Sequence, residues 1–169
     1  YRAPEPALMQ PASGEPVQHT VTAERFDVRY PDGPRDAEAF FLDPVSGAAY
    51  LITKTLLPPA ELYRISLPER GTDSLWEKVG EVNVLLATAA DMDPSGSLIA
   101  IRTYTSIRLW PRLPSESVAD SLARVGCGAA SQAEGQGETV AFGLQSDRYV
   151  TVSEGQGPTV WQFEISPDL

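Results

Sequence analysis

Three stretches of the chain share one pattern, in which an apolar run leads through a short polar turn into a second apolar run. They cover residues 36–54, 86–103 and 136–154. The first two match on Asp43 and Asp93, 50 residues apart, and the first and third match on Glu38 and Glu138, two such periods apart. Self-similarity at a period of about 40 to 50 residues is typical of β-propeller blades.

Each stretch has the composition of a β-hairpin. The turns 43–47 and 93–96 combine Asp, Pro and Gly, which respectively cap a turn, fix φ and supply a positive φ. The second apolar run of each hairpin is rich in β-branched and aromatic residues, which favours strands. The near-continuous apolar character of these runs predicts strands that are covered on both faces.

Further strands and one helix complete the predicted units. Strands are expected at 61–67, 76–84, 106–110 and 159–165. A helix is expected at 115–125, in the position of the second unit's outer strand, because Val118, Leu122 and Val125 share a face behind a serine cap. The sequence therefore predicts an all-β chain made of β-propeller blades of four antiparallel strands, about three blades of a larger propeller, with one short helix.

The predicted blades are too few to close a propeller. Residues 1–20 form a Pro- and Gly-rich connection, and 21–169 a partial propeller whose blades cover about 36–85, 86–130 and 134–166. Residues 21–30 are interpreted as the outer strand of a preceding blade. Because closed propellers use about four to eight blades, we expect a partner: an N-terminal propeller half, belonging to the same protein or to a separate chain.

A family resemblance rests on short motifs from residue 21 onwards. They include residues 30–39, 43–44, 50–54, 90–96, 102–104 and 134–138. With these motifs the chain resembles the C-terminal half of a group of bacterial, exported β-propeller proteins that have no settled activity. The resemblance implies the missing blades and an extracellular or periplasmic location, and it implies no substrate.

Composition narrows the classes of partner. The net charge is −10, and an acidic chain repels phosphate backbones, so we expect neither nucleic acid nor an anionic membrane as a partner. No apolar run is long enough for membrane insertion. Cys127 is the one cysteine and His19 the one histidine, so neither an internal disulfide nor a multi-histidine metal centre can form within the chain.

Charged residues flank the apolar strands at one end of each hairpin. Because the strands of a hairpin are antiparallel, the start of the first and the end of the second lie at one edge. In a propeller that edge would form the mouth of the central channel. The candidate ligand-binding residues are therefore Asp36, Glu38, Lys54, Arg102, Glu134, Glu138 and Glu154.

Two functions remain open from the sequence. The first is a binding or scaffold module whose charged mouth engages a ligand or a protein. The alternative is a calcium-dependent hydrolase of phosphoesters or lactones, in which Glu38, Glu138 and Glu154 would hold the ion, since calcium prefers carboxylate oxygens. A third interpretation is that the charged residues at the mouth edge only form salt bridges with one another and bind no ligand. The sequence does not decide whether the chain is an enzyme.

Overall fold

The computed structural model describes residues 1–4, 6, 18, 20–66 and 74–166. Within these residues the fold is all-β with one short helix, α1 (Val118–Leu122). The strands are β1 (Val28–Arg29), β2 (Ala37–Leu42), β3 (Ala48–Thr53), β4 (Ala60–Ser66), β5 (Ser74–Leu75), β6 (Glu77–Val82), β7 (Ala87–Met92), β8 (Leu98–Thr103), β9 (Ile107–Pro111), β10 (Cys127–Ala129), β11 (Ala141–Phe142), β12 (Arg148–Val152) and β13 (Val160–Glu164).

Antiparallel sheets follow one another along the chain. Sheet A contains β2, β3, β4 and β6 in that order, and sheet B contains β7, β8, β9 and β10. Sheet C has three strands in the described part of the chain, β11, β12 and β13. The expectation of antiparallel four-stranded sheets is confirmed for the first two predicted units.

The hairpins of the three sheets have the same register. Phe41 pairs with Tyr50, and the equivalent pairs lie 50 and 100 residues later, at Asp91–Ala100 and Ala141–Val150. The backbone hydrogen bond that closes each turn repeats in the same way: the amides of Asp43, Asp93 and Gly143 donate to the carbonyls five residues ahead, at 2.9, 3.0 and 2.9 Å. The period identified in the sequence is therefore a period of the backbone.

The turn chemistry explains this regularity. Gly47 and Gly96 have φ values of 68° and 74°, a region that favours glycine. In the third turn Ser146 occupies the place of Gly96 with φ at 58°. Its hydroxyl donates to the carboxylate of Asp93 at 2.7 Å, so this serine links the turn of sheet C to the turn of sheet B.

The sheets pack face to face through alternating apolar side chains. We call the face of a sheet that points to the preceding sheet its front, and the opposite face its back. Ala39 and Phe41 on the back of sheet A share a buried cluster with Ala90 and Met92 on the front of sheet B. Ala100 on the back of sheet B shares a second cluster with residues on the front of sheet C, namely Val140, Phe142 and Tyr149.

Asp91 interrupts the apolar back of sheet B. It stands where Phe41 stands in sheet A, and its carboxylate accepts hydrogen bonds from the amides of Met92 at 2.9 Å and Phe142 at 2.7 Å. Burial raises the pKa of Asp91, against the effect of these two bonds. Because the second bond crosses to β11, this acid ties sheet B to sheet C.

The helix is shorter than expected and does not replace a strand. Ser117 caps it by accepting from the amide of Asp120, and Val118 and Leu122 are buried as predicted. Val125, the third residue of the predicted face, lies beyond the helix end and is 80% exposed. The outer strand of sheet B is β10, which follows the helix, so the placement of the helix in that strand's position was wrong. No helix in the described ranges is long and apolar enough to cross a membrane.

The segment before sheet A differs from the single outer strand expected over residues 21–30. Only β1 is a strand there, and it pairs in parallel with β5. Glu24 forms an isolated antiparallel bridge with Arg2, and the two side chains form a salt bridge at 2.7 Å. Most of the predicted connection over 1–20, including His19, lies outside the described residues.

Candidate functional site

A lysine and a tyrosine from neighbouring sheets meet at the predicted mouth edge. The Lys54 ammonium group, just past the end of β3, donates to both carboxylate oxygens of Glu38 at 2.8 Å and to the Tyr104 hydroxyl at 2.6 Å. It also lies 4.7 Å from the centre of the Tyr104 ring, within range of a cation–π contact. The bonds to Glu38 and Tyr104 raise the pKa of Lys54, so the ammonium form is favoured.

Two glutamates that flank the hairpin of sheet C, Glu138 and Glu154, lie beside this lysine and are close enough for a protonated carboxyl of one to hydrogen-bond to the other. Partial loss of hydration and the hydrogen bond to Glu154 raise the pKa of Glu138. The charges of Glu154 and Glu38 act in the same direction, and that of Lys54 opposes them. Glu138 therefore takes up a proton more readily than an isolated glutamate does.

Residues from the edges of sheets A, B and C lie close together at this site. Glu38 and Lys54 come from sheet A, Tyr104 follows β8 of sheet B, and Glu138 and Glu154 flank the hairpin of sheet C. We call these five residues the mouth cluster. Glu138 is close enough to Glu38 and Lys54 for their charges to affect its pKa, although sheet B lies between sheets A and C. The cluster holds three acids and one base.

Arg102 and Glu134, two other predicted site residues, are buried instead of lining the mouth. Their side chains are 2% and 4% exposed and form a salt bridge at 3.3 Å. Glu134 also accepts from the Thr151 hydroxyl at 2.6 Å. Arg102 Nε and Glu134 Oε2 have no hydrogen-bond partner. This pair is a polar contact between sheets B and C.

The backbone of the loop before β11 packs against this buried arginine. A Cβ added to Gly137 would lie 2.0 Å from the Arg102 guanidinium, so a side chain at this position would displace the arginine. The Gly137 carbonyl accepts from the Thr88 hydroxyl at 2.6 Å. This close approach explains the glycine at 137, whereas a Cβ at Gly135 would meet nothing within 4 Å.

The remaining predicted site residue, Asp36, lies at the same edge and is exposed. Its carbonyl accepts from the Lys54 amide at 2.8 Å, and the equivalent bond in sheet C joins Glu154 to Gln136 at 3.0 Å. These bonds close the hairpins at the mouth edge. Cys127 is a free, exposed thiol on β10.

Sequence reasoning missed Tyr104 as a member of the site. Its position carries a usable signal, because it lies 50 residues after Lys54, one full period along the chain. The repeat therefore places these two residues at equivalent positions of adjacent hairpins. Adjacent sheets bring such positions into contact.

The described residues contain no group of three or more His, Cys, Asp or Glu side chains placed to hold a metal ion. Glu38 is instead engaged by Lys54, and Glu138 by Glu154. No family model matches the sequence, and no curated protein is similar enough to count as a match.

The raised pKa of Glu138 predicts the effect of removing its charge. The folded state binds a proton at this site more tightly than the unfolded chain, so the ionised pair costs stability when the pH is above the folded pKa. We expect Glu138→Gln to melt at a slightly higher temperature than wild type at pH 7. The difference should vanish below about pH 4, where the wild-type carboxyl is protonated in both states.

Thermal melting followed by circular dichroism at pH 4 and pH 7 measures this effect. Glu164→Gln, on the third strand of sheet C, is the matched control that removes one acidic charge away from the mouth. A Glu138→Gln variant that is less stable than wild type at pH 7 would show that the charge of Glu138 is satisfied by its surroundings.

Proposed function

We propose that sheets A, B and C are blades of a β-propeller and that the mouth cluster binds a ligand or a protein. The observation that carries this proposal is that charges from sheets A and C converge beside Lys54, which also contacts Tyr104 of sheet B. Such convergence is expected when sheets radiate from a common axis, and contacts of β2 with β7 and of β7 with β11 support it. The resemblance to bacterial propeller proteins supports the same proposal.

The charge of the mouth cluster indicates which ligands it favours. Lys54 forms a salt bridge with Glu38, and its single charge also acts on Glu138, so the three acids of the cluster outnumber its one base. Charge complementarity steers partners of opposite sign to such an edge. Positively charged groups, on a small molecule or on a basic protein surface, are therefore the favoured ligands.

The hydrolase has no specific observation in its favour. Metal-dependent hydrolysis needs several ligands around one point with an open position for water, whereas the described residues contain no such group and Glu38 is paired with Lys54. The binding module is therefore the function we propose. The location outside the cytoplasm remains part of this proposal on the resemblance alone.

Binding of a basic peptide tests the proposed function. We expect a fluorescein-labelled hexa-arginine peptide to bind the wild-type protein, and the double variant Glu138→Gln/Glu154→Gln to bind it at least tenfold more weakly in fluorescence anisotropy. Binding should also weaken as the pH falls, because partial loss of hydration and the neighbouring acids raise the pKa of Glu138 and its negative charge is lost on protonation.

The control is Glu77→Gln on the outermost strand of sheet A, which removes one acidic charge away from the mouth. If this variant and the mouth variant weaken binding equally, the peptide responds only to the net charge of the chain, and the proposal fails. In parallel, the melting temperature is measured as calcium is added, to test the alternative of a calcium site. An ion that binds the folded state must raise the melting temperature.

A further inference from the structure

A β-bulge repeats at the mouth end of the first two hairpins. The strand pairing gains one extra residue at Glu38 in sheet A and at Thr88 in sheet B, 50 residues later. Glu138 stands one further period along the chain, so these three residues occupy equivalent positions. Bulges redirect a side chain at the rim of a sheet or next to a functional site. In sheets A and C the residue at this position is an acid of the mouth cluster.

Thr88 uses the same position for a contact between sheets. Its side chain is buried, and its hydroxyl donates to the Gly137 carbonyl at 2.6 Å. That carbonyl belongs to the peptide group that joins Gly137 to Glu138. Sheet B therefore holds the backbone that leads into an acid of sheet C.

Arg102 contacts the backbone on both sides of the same acid. Its guanidinium lies against Gly137, where an added Cβ would come within 2.0 Å. It also donates through one terminal nitrogen to the Thr139 carbonyl, at a longer distance of 3.4 Å. Because the side chain is 2% exposed and paired with Glu134, the guanidinium has a fixed place in the interior.

Sheet C by itself holds this segment at separate points. Gly137 forms an isolated bridge with Ser153, and pairing with β12 resumes at Ala141. Glu138 lies between these two points, and the carbonyls of the residues before and after it accept from side chains of sheet B. The place of Glu138 in the mouth cluster therefore depends on sheet B.

Building on the proposed binding site, we infer that Thr88 and Arg102 are positioning residues, which fix the backbone around Glu138 and so set where its carboxylate lies. Both are buried, so they act through this acid and not on the ligand. They keep its carboxylate beside Glu154 and Lys54. A group that is already held in place loses less conformational freedom on binding, so this support strengthens the binding of positively charged groups.

Thr88→Val tests the inference, because it removes the hydroxyl and keeps the shape of the side chain. We expect the hexa-arginine peptide to bind this variant about threefold more weakly than wild type at pH 7, a smaller loss than in the double mouth variant because both acids remain. The Glu138 carboxyl should also titrate at a lower pH in ¹³C NMR, since it moves away from the partly dehydrated site and the acids that raise its pKa. Thr88→Ser retains the hydroxyl and should behave as wild type.

The matched control is Ser121→Ala. It also removes a buried hydroxyl that donates to a main-chain carbonyl, that of Pro111 at 3.2 Å, but at the helix and away from the mouth. We expect it to lower the melting temperature without changing peptide binding or the titration of Glu138. Thermal melting and circular dichroism check the fold of each variant.

Arg102→Lys tests the second positioning residue and replaces Thr88→Val if that variant does not fold. It keeps the charge opposite Glu134 but lacks the planar guanidinium that lies against Gly137 and donates to Thr139. It should give the same two changes, weaker peptide binding and a lower titration pH for Glu138.

The inference is overturned if folded Thr88→Val and Arg102→Lys bind and titrate as wild type does. Equal changes in Ser121→Ala, or a Thr88→Ser variant that behaves like Thr88→Val, would also overturn it. The proposed function fails separately: a wild type that does not bind the peptide, with a shifted titration of Glu138 in Thr88→Val, would refute the binding site and leave the positioning role in place.

Discussion

Substituting Arg102 with alanine is expected to lower the free energy of unfolding by about 3–5 kcal/mol. The Arg102 side chain is 2% exposed and forms a salt bridge with Glu134, which is 4% exposed, at 3.3 Å. Removing the guanidinium leaves a carboxylate that is buried between sheets B and C and hydrogen-bonded only to Thr151. An uncompensated buried charge is costly because the protein interior solvates it poorly.

Chemical denaturation measures this loss, provided that the free energy of unfolding depends on denaturant concentration with the same slope in all variants. The double variant Arg102→Met/Glu134→Leu should recover most of it, because it removes both charges while keeping apolar volume. Arg148→Ala breaks an exposed pair with Asp147 and should cost less than about 1 kcal/mol. A loss below about 1 kcal/mol for Arg102→Ala would show that Glu134 reaches solvent.

Substituting Asp93 with alanine should have the second-largest effect, a loss of about 3 kcal/mol, since each buried donor left without a partner costs about 1–3 kcal/mol. The Asp93 carboxylate is buried and accepts from the Leu98 amide at 2.7 Å, the Ser95 amide at 3.1 Å and the Ser146 hydroxyl at 2.7 Å. The substitution therefore weakens the turn of sheet B and its link to sheet C.

The Asp93 carboxylate should also make the free energy of unfolding depend on pH. Burial opposes ionisation of Asp93, but hydrogen bonds from Ser95, Ser146 and Leu98 outweigh it and lower the pKa. A lowered folded pKa adds stability that is present above the unfolded value and is lost as the pH falls through the folded one. We therefore expect the difference between wild type and Asp93→Ala to shrink on acidification below about pH 4.

Two variants separate these contributions. Ser146→Ala removes only the bond between sheets and should cost about 1 kcal/mol. Asp147→Ala, in the turn of sheet C, removes an exposed carboxylate and should be nearly neutral. If Asp93→Ala is no more harmful than Asp147→Ala, the turn does not depend on the buried acid.

The features that could be predicted from the sequence are those set by local chemistry. The Asp-Pro turns, the β-branched second strands and the serine-capped helix each depend on a few adjacent residues, and each is present in the structure. The 50-residue period placed all three hairpins because one turn type at one spacing fixes the register of a hairpin. Glu38 and Lys54 were predicted at one edge for the same reason.

The features that were missed depend on packing between sheets. Because Arg102 and Glu134 are charged, they were predicted to line a solvent-filled mouth. In the structure the missing side chain of Gly137 leaves space for Arg102, and the Thr151 hydroxyl donates to Glu134, so both are buried. The parallel pairing of β1 with β5 joins segments more than 40 residues apart, and nothing in either segment alone specifies it. Tyr104 belongs to the site because adjacent sheets place equivalent positions together, which hydrophobic periodicity within one strand does not reveal.

If sheets A, B and C are propeller blades, as we propose, they radiate from an axis near the mouth cluster. This arrangement is tested most directly by distances between spin labels in a Cys127→Ser background. One label pair replaces Glu38 and Glu154 at the mouth, and the other replaces Glu77 and Glu164 on outer strands of sheets A and C. Since stacked sheets lie about 10 Å apart, a parallel stack would separate both pairs by about 20 Å. The account predicts a mouth pair closer than about 20 Å and an outer pair clearly farther apart, and equal distances for the two pairs would contradict it.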